Sequence, residues 1–425
     1  MNAPAPVRTN LRRGACPGLS APMPTGDGLL ARLTPSGGTI ALDAFAGLCE
    51  AARSHGNGIV EITSRGSIQV RGLGAASARD FAAAVAALGI EACDGVPVLV
   101  DPLHGLADDG TAEAGSVAAE IRGALATAPF ASRLAAKVSA IVDGGGALHL
   151  DDVPADVRLR VMVVPGAGYR LALAGDAATA VALGAVAASR AAECVMRLLG
   201  VLAKRAPQGR MRDAIASGGL DAFKAAVAGQ AVDAPPPLVR PVAEPVGAHP
   251  LRDGKLALGL GLAFGHSDAA TLLRLVDAAR GVGASGLRTA PGRVLLVLGL
   301  APDAARQFTA TAAALGFIVA PGDPRRRVVA CAGAPVCASG EIPARALAPA
   351  VAWALAAMPD APPLVHVSGC AKGCAHPGPA PVAVIGRAGA CDVYCHGALA
   401  GSVPVEELPG RIAAFIRPGA EADHG

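Results

Sequence analysis

Apolar residues occur in short blocks that alternate along the chain between the two-residue period of a strand and the longer period of a helix. Two blocks begin in the same way, DGLLARL at Asp27 and DGKLALGL at Asp253, and both predict a strand. Each is followed by a helical pattern, a second strand that ends in Gly-Leu, and a further helix. The chain is therefore expected to contain two similar strand–helix–strand units, each followed by a helix.

The similarity of the two units extends beyond their first strands. The sequence AAR occurs at Ala51 and again at Ala278, and TSRGSIQV at Thr63 matches TAPGRVLL at Thr289. The offset between the copies stays at 226 or 227 residues, which favours a duplication. Chance similarity in a chain rich in Ala, Gly and Leu is the alternative, because short apolar patterns are ambiguous.

A proline-rich segment, VDAPPPLVRPVAEPVGAHP at 232–250, separates the two units. Its prolines exclude helix and central strand alike, so it predicts an extended linker. The elements expected before the linker are strands at Lys137–Val142, Ala147–Leu150, Val161–Val164 and Tyr169–Leu173 and a helix at Asp176–Leu202. Those expected towards the C-terminus are strands at Val328–Ala330 and Leu364–Val367 and a helix at Ile342–Met358.

Composition narrows the class of protein. Hydrophobic residues make up 52% of the 425 residues but aromatic residues only 3%, so the elements must pack through small side chains. The net charge of +3 is too weak to indicate a nucleic-acid partner, and we find no run of 18 uncharged apolar residues that would indicate a membrane span. The N-terminal residues lack the apolar stretch of a secretory signal, so we expect a cytoplasmic protein with reduced thiols.

Four of the ten cysteines form a pattern that indicates a metal centre. Cys331 and Cys337 form a C-x5-C motif, and Cys370 and Cys374 form a C-x3-C motif. Each motif follows a predicted strand, and Gly and Ala residues around the cysteines let the backbone approach a cluster closely. Four thiolates that converge from two such loops suit a [4Fe–4S] cluster, which is the interpretation that we favour.

Three alternatives to a cluster stay open at this point. Cysteine is often a small core residue, zinc also binds thiolates although its sites favour C-x2–4-C spacing, and disulfides are disfavoured in a reducing compartment. Cys391 and Cys395 form a second C-x3-C motif and remain candidate ligands. Cys49 and Cys194 lie in helical patterns and are expected in the core.

The cysteine motifs and their flanks resemble those of the sirohaem-dependent sulfite and nitrite reductase superfamily. HVSGCAKGCAHPGPAPVAVIG at 366–386 is similar to its second cysteine motif, and TSRGSIQ at 63–69 is similar to a strand motif of its first half-domain. Within the superfamily the chain resembles the precorrin-3B synthase family, over about 13–416. The segments that carry this resemblance are RGACPGLSAPMPTGDGLLARL at 13–33, PLHGLADDG at 102–110, LAAKVSAIVDGGG at 134–146 and GCAKGCAHP at 369–377.

The resemblance implies an α+β fold with a duplicated nitrite/sulfite reductase-like architecture. Two ferredoxin-like half-domains and two mixed-sheet domains are then related by a pseudo-twofold axis. The expected divisions are a first ferredoxin-like half-domain at 11–80, a first reductase-like α/β domain at 95–230, the Pro-rich linker at 231–250, a second ferredoxin-like half-domain at 251–320 and a [4Fe–4S]-binding reductase-like domain at 325–420.

The same resemblance implies a monooxygenase of aerobic cobalamin biosynthesis. Such an enzyme oxidises precorrin-3A with O2 to precorrin-3B, adding a hydroxyl at C20 and forming a γ-lactone from the ring A acetate. The implied cofactors are a [4Fe–4S] cluster and a mononuclear non-haem iron, with reducing equivalents from NADH through an electron-donor reductase. The tetrapyrrole is then the substrate, in a cavity where the relatives hold sirohaem.

A tetrapyrrole with many carboxylate arms needs cationic side chains to bind it, and the bidentate fork of arginine suits carboxylates. Arg65 matches the superfamily's arginine of the first repeat and is the leading candidate, followed by Arg71, Lys137 and Arg326. Lys137 also matches one lysine of the superfamily's lysine pair, whose second position is Ser139 here. For each of these side chains the alternative is a solvated charge on the surface.

His376 and Lys137 are the candidate catalytic residues. His376 follows Cys374 by two residues and can contact substrate or bind iron, although a lone histidine is more often structural. The rival hypothesis is a sirohaem-dependent sulfite or nitrite reductase, which Ser139 disfavours because it leaves less positive charge for a small anion. A third hypothesis is a protein that carries a tetrapyrrole or an iron–sulfur cluster. We rank it last, because a simple carrier does not need a large duplicated fold.

Overall fold

The computed structural model describes residues 17–93, 95–108, 113–162, 168–358, 364–376 and 378–416. These residues form four β-sheets with helices packed against them, which confirms the predicted α+β class. Two sheets belong to the repeated units, and the other two belong to the regions that follow each unit. The predicted strand at Val161–Val164 lies partly outside the described residues.

The first repeated unit has the order strand, helix, strand, strand, helix, preceded by a short strand. Its elements are β1 Met23–Thr25, β2 Gly28–Leu33, α1 Leu42–His55, β3 Ile59–Ile62, β4 Ile68–Leu73 and α2 Ser77–Ala87. The sheet runs β1-β2-β4-β3 with antiparallel pairing. The prediction missed the separation of β3 from β4. The chain turns there because Gly66, at φ 80°, adopts a conformation that glycine tolerates best.

The second repeated unit has the same order of elements, with one additional short strand before its first helix. Its elements are β10 Gly247–Pro250, β11 Leu256–Gly261, β12 His266–Asp268, α7 Ala269–Gly281, β13 Gly286–Ala290, β14 Val294–Leu300 and α8 Pro302–Ala314. All seven residues of β14 are buried, as expected for an uninterrupted apolar strand that is covered on both faces. The last four residues of the proline-rich segment form β10 and pair with β11.

The backbones of the two units pair with each other at two places. β12 pairs with β3, with His266 opposite Glu61, and Ile40 bridges to Leu287 of β13 in the reciprocal position. Helices α1 and α7 pack together. The apolar core that they share includes Phe45, Leu48, Leu272 and Leu275. The two copies therefore form one body around a pseudo-twofold relationship, as the resemblance implied.

Each unit is followed by a mixed five-stranded sheet, and the two sheets have the same topology. The first contains β5 Val98–Val100, α3 Glu113–Thr127, β6 Ala140–Asp143, β7 Ala155–Val161, β8 Tyr169–Gly175, β9 Val181–Val186, α4 Ala188–Arg205, α5 Met211–Gly218 and α6 Asp221–Ala226. The second contains β15 Val328–Ala330, α9 Ala344–Ala356, β16 Val365–Ser368, β17 Val382–Arg387, β18 Ala390–Cys395, β19 Ala398–Pro404 and α10 Leu408–Ile416.

In both sheets the first three strands are parallel and the last two are antiparallel. The ladders place Val100 opposite Val142 in the first sheet and Ala330 opposite Val367 in the second. Asp101 of the first sheet is therefore the positional counterpart of Cys331 in the second. The duplication thus covers the sheets as well as the ferredoxin-like units.

Some predicted elements differ from the structure. The first half of the predicted helix at Asp176–Leu202 is the strand β9, and the helix α4 begins only at Ala188. The residues of the predicted strand Ala147–Leu150 form a turn and loop, and β6 begins at Ala140 rather than at Lys137. The predicted elements at Tyr169–Leu173, Val328–Ala330, Ile342–Met358 and Leu364–Val367 are confirmed to within three residues at each end.

No helix in the described ranges has both the length and the apolar character that crossing a membrane requires.

Candidate functional site

The two cysteine motifs lie in neighbouring loops. β15 and β16 are adjacent parallel strands, and each leads directly into one motif. Parallel neighbours end at the same edge of a sheet, so Cys331 and Cys370 emerge side by side. The N–H of Cys331 donates to Val367 O at 3.2 Å, which fixes the start of the first loop to the end of β16.

Glycine allows the two loops to touch. Gly369 N–H donates to Cys331 Sγ at 3.0 Å, and Glu341 N–H donates to Gly369 O at 2.7 Å. A Cβ atom on Gly369 would lie 2.9 Å from Gly333 Cα and 3.4 Å from Cys331 Sγ, so a side chain there would force the loops apart. Lys372 Nζ also donates to Ser339 Oγ at 2.7 Å and joins the outer parts of the loops.

The four cysteines of these loops differ from the others in their surroundings. Cys331, Cys337 and Cys370 are half-buried and Cys374 is exposed, whereas Cys49, Cys194 and Cys391 are buried. Burial raises the pKa of Cys391 to about 11, helped by Asp392, and Cys395 Sγ donates to Phe415 O at 3.2 Å. All nine cysteines of the described residues are free thiols. The structure therefore brings Cys331, Cys337, Cys370 and Cys374 into touching loops and places Cys391 in the core.

Two histidines flank the second cysteine loop. His366 lies on β16 and is buried, and its Nε2 atom has no hydrogen-bond partner among the described residues. Burial lowers the pKa of His366 to about 4, helped by His376 and Arg293, so its imidazole is neutral near pH 7. The ring of the candidate residue His376 lies edge-on to it at 6.0 Å, and His376 Nε2 lies 3.2 Å from Pro379 O.

The N-terminal unit packs directly on the first cysteine loop. A Cβ atom on Gly26 would lie 1.8 Å from Ala338 N and 2.5 Å from Cys337 Cα. The next residue, Asp27, accepts two hydrogen bonds from Arg71, at 2.9 and 3.1 Å. Burial alone lowers the pKa of Arg71, but the charges of Glu61, Asp27 and Cys337 outweigh it and raise that pKa. Arg71 is thus bound to protein carboxylates, which does not support the substrate contact expected of it.

Arg65 reaches the first mixed-sheet region from the turn between β3 and β4. Its Nη1 donates to Ser139 Oγ at 3.3 Å and its Nη2 donates to Pro154 O at 2.9 Å. The structure therefore joins Arg65 to the position where the superfamily has its second lysine. Lys137, two residues earlier, is exposed.

Arg326 is held by the linker. Its Nη1 donates to Glu244 Oε2 and to Pro321 O, both at 2.7 Å. The structure does not bring Arg326 into contact with Arg65 or with the cysteines through any hydrogen bond of the described residues.

Sequence reasoning missed Arg293, which lies in the turn between β13 and β14. Its Nη2 donates to Ala375 O at 3.3 Å, between Cys374 and His376. Burial lowers the pKa of its guanidinium, and the negative charge of Glu61 acts in the opposite direction. The repeat contained the signal, because the offset of 226 residues places Arg293 in the same turn as Arg65. Each repeat thus sends one arginine from this turn to a backbone carbonyl between the second and third strands of the following sheet.

Asp143, His149 and Asp151 have ligand atoms close enough together to hold a metal ion. Arg240 of the linker lies against them, with its Nη2 2.5 Å from Asp143 Oδ2 and 2.6 Å from Asp151 Oδ1. The guanidinium of Arg240 already neutralises the negative charge of these two carboxylates. This group of side chains therefore attaches the linker to the first mixed sheet.

Comparison with known proteins identifies the family. Residues 21–88 match the model of the nitrite/sulfite reductase ferredoxin-like half domain. A precorrin-3B synthase from Sinorhizobium sp. is 36% identical over 393 residues, covering 92% of this chain and 84% of that protein. The chain belongs to the precorrin-3B synthase family. This family is one of enzymes, so the carrier hypothesis is set aside.

Other relatives of this precorrin-3B synthase family member are more distant. Sulfite reductase [ferredoxin] 2 of Mycolicibacterium paratuberculosis is 30% identical over 154 residues, only 34% of this chain and 27% of that protein. The structure of the Mycobacterium tuberculosis NirA protein matches with a TM-score of 0.74 over 93% of this chain and 82% of that one, at 19% identity. That likeness confirms the reductase-like architecture expected from the sequence.

Proposed function

We propose that the protein is a precorrin-3B synthase, an O2-dependent monooxygenase that acts on precorrin-3A in the cytoplasm. One oxygen atom enters the macrocycle, giving the C20 hydroxyl and the γ-lactone from the ring A acetate. The other leaves as water, and NADH supplies the two electrons through an electron-donor reductase. The observation that carries this proposal is the 36% identity to a precorrin-3B synthase along nearly the whole chain.

The cysteine loops fit a [4Fe–4S] cluster. Thiolates of Cys331, Cys337, Cys370 and Cys374 would be its ligands, and a cluster bound there supplies single electrons. The Gly369 amide, already directed at Cys331 Sγ, is the kind of donor that tunes cluster potentials. Gly26, Gly333 and Gly369 leave space for backbone but not for side chains around the loops. Zinc is the alternative metal centre for these four thiolates, and acid-labile sulfide would distinguish a [4Fe–4S] cluster from zinc.

The proposed mononuclear non-haem iron needs a different ligand set. Imidazole nitrogen suits such iron. The buried Nε2 atom of His366 makes no hydrogen bond to the described residues, and the ring of His376 lies next to that of His366. This pair fits the donor chemistry of an iron site, and His376 is the member that sequence reasoning selected. Lys137 is the other catalytic candidate and, being exposed near Ser139, can approach a bound carboxylate.

Substrate binding is assigned first to Arg65. Its guanidinium donates hydrogen bonds to Ser139 and Pro154, which immediately precede β6 and β7 of the first mixed sheet. The orientation of the guanidinium is therefore fixed before a tetrapyrrole binds. A preorganised arginine loses little side-chain freedom when it binds a carboxylate.

The deciding experiment is anaerobic purification, analysis of iron and sulfide, an optical spectrum, and turnover with precorrin-3A, NADH, a reductase and isotopically labelled O2. We expect iron and sulfide without stoichiometric sirohaem, no sulfite reduction, and one labelled oxygen atom in the product. Stoichiometric sirohaem with sulfite or nitrite turnover would replace this proposal with the reductase hypothesis.

The ligand assignment has its own test. Changing Cys370 to Ser should remove or severely deplete the cluster, because the cluster needs a thiolate at each of its four corners. Cys391→Ser is the matched control, since it alters the nearby C-x3-C motif whose first thiol is buried in the core. Full cluster content in Cys370→Ser, or its loss in Cys391→Ser, would contradict the assignment.

A further inference from the structure

A groove follows β5, the edge strand of the first mixed sheet, where the two repeated units meet it. Its space amounts to about 500 Å³ when the open solvent at its mouth is counted, so the enclosed part is smaller. Its walls come from three parts of the chain: the Thr34–Gly38 segment and Arg65 of the first unit, Val98–Val100 and Pro102 of the sheet region, and Arg288–Pro291 of the second unit. Arg65 and Arg288 therefore face one space from opposite repeats.

Arg288 directs its hydrogen bonds to neutral atoms. Its Nε donates to Thr39 Oγ1 at 3.2 Å, and its Nη1 donates to Pro102 O at 3.0 Å and to His104 O at 2.8 Å. The Nη2 nitrogen makes no hydrogen bond to the described residues. Burial lowers the pKa of Arg288, and the negative charge of Asp101 acts in the opposite direction.

A guanidinium that is withdrawn from water without a paired carboxylate is costly to the protein. Arg71 and Arg240 meet this cost with ion pairs to Asp27 and Asp143. The hydrogen bonds of Arg288 and Arg293 to the described residues, in contrast, go to neutral oxygens. Arg288 lacks such a partner among the described residues, although it faces a space that is open to a ligand. The missing partner is an anion, and two arginines on opposite walls suit a carboxylate.

We propose that this groove is a carboxylate-binding subsite, in which Arg288 and Arg65 hold an acetate or propionate arm of the tetrapyrrole. The inference rests on the proposed function, which supplies a substrate with many such arms. The groove is smaller than a macrocycle with its arms, so it takes an arm and leaves the ring outside. Arg288 is thereby a binding residue from the second repeat that the sequence comparison with the superfamily did not select.

The subsite also explains the shape of the groove. Thr34–Gly38 has two glycines, and a Cβ atom on Gly37 would lie 3.0 Å from Val100 Cγ2. Gly37 therefore packs closely on β5, and the two glycines add no side chain to the groove beside it. Hydrogen bonds from Arg288 to Pro102 and His104 fix the guanidinium in place, so its Nη2 points to a defined position before the ligand binds.

The test is the dissociation constant of precorrin-3A, measured anaerobically from the change in its absorption with no reductant present, so that no turnover occurs. Arg288→Gln should weaken binding roughly tenfold or more, the scale of one lost charge-assisted hydrogen bond. Arg306→Gln is the matched control, because Arg306 is exposed on α8 of the same unit and away from the groove. It should leave the dissociation constant unchanged.

A second variant guards against misfolding of Arg288→Gln. Thr289→Glu adds a carboxylate to the groove wall and keeps the contacts of Arg288, so it should weaken binding comparably while leaving the circular dichroism and thermal unfolding of the protein unchanged. If the wild-type protein fails to bind precorrin-3A, the proposed function is wrong. If the wild type binds it and the folded Arg288→Gln and Thr289→Glu proteins bind it equally well, only the subsite is wrong.

Discussion

Gly26 lies against the backbone of Cys337 with no room for a side chain between them. A Cβ atom on Gly26 would lie 2.5 Å from Cys337 Cα and 1.8 Å from Ala338 N. The contact joins the first ferredoxin-like unit to a cysteine loop that lies more than 300 residues later in the chain. The geometry of the cysteine site therefore depends on the N-terminal segment as well as on its own sheet.

Gly26→Ala should displace the first cysteine loop and reduce iron and sulfide per chain by at least half. The physical reason is that both neighbouring atoms are backbone and cannot rotate away. Gly18→Ala is the matched control, since nothing lies within 4 Å of a Cβ atom there. Iron and sulfide analysis after anaerobic purification measures the effect, and equal content in the two variants would show that the contact is unimportant.

Arg71→Gln should destabilise the protein by about 3–5 kcal/mol, because it leaves the largely buried Asp27 carboxylate without its cation, whereas Glu61 keeps its ion pair with Arg345. Urea unfolding of the cofactor-free protein measures this change. Arg53→Gln removes an exposed ion pair with Glu50 and should cost at most about 1 kcal/mol. If Arg71→Gln loses little unfolding free energy but binds precorrin-3A more weakly, that result would support the substrate-binding role predicted from the sequence.

The sequence predicted those features of the fold that repeat or that follow a strong apolar period. The repeat at offset 226 located both ferredoxin-like units, and the strands before each cysteine motif were confirmed at Val328–Ala330 and Val365–Ser368. The predicted helix over Asp176–Leu202 was wrong in its first half. VALGAV at 181–186 contains no polar side chain, so its pattern fits a helix as well as a strand. Pairing with β8 makes it a strand.

The site could be predicted only where its chemistry shows in residue type and spacing. Four thiols in two glycine-rich turns form a local pattern that predicts a cluster site, and the structure brings these two loops into contact. Arg71 and Arg326 could not be assigned in this way, since their partners Asp27 and Glu244 lie 44 and 82 residues away in sequence. An arginine looks the same in sequence whether it faces a ligand or a protein carboxylate.

Acid should weaken the folded state through His266. Burial, helped by Arg345, lowers the pKa of His266 to about 4 from an ordinary 6.5, and its Nδ1 makes no hydrogen bond within the part of the chain that the structure describes. Between these values the unfolded chain binds a proton that the folded chain does not, so stability falls as the pH drops from 6.5 to 4. One such histidine contributes at most about 1.4 kcal/mol per pH unit.

Urea unfolding at several pH values between 7.5 and 4.5 measures this dependence. His266→Gln should show a shallower loss of unfolding free energy with acid than the wild type, because the variant has no imidazole to protonate on unfolding. His55→Gln, which removes an imidazole from the last turn of helix α1, is the control. Parallel curves for wild type and His266→Gln would refute the role of His266.

The arginines in the corresponding turns of the two repeats, Arg65 and Arg293, should separate cluster retention from substrate binding. Arg293 donates to Ala375 O inside the second cysteine loop, whereas Arg65 donates to Pro154 O in a region without cysteine ligands. Arg293→Met removes the donor that holds the loop between Cys374 and His376. We therefore expect its cluster absorption to decay several times faster in air than that of the wild type. Arg65→Met should keep the wild-type decay rate and weaken precorrin-3A binding by about 1.5–3 kcal/mol, the scale of a lost charge-assisted hydrogen bond. If both variants lose the cluster equally fast, the turn arginines merely support the fold, and the division of labour between the repeats does not exist.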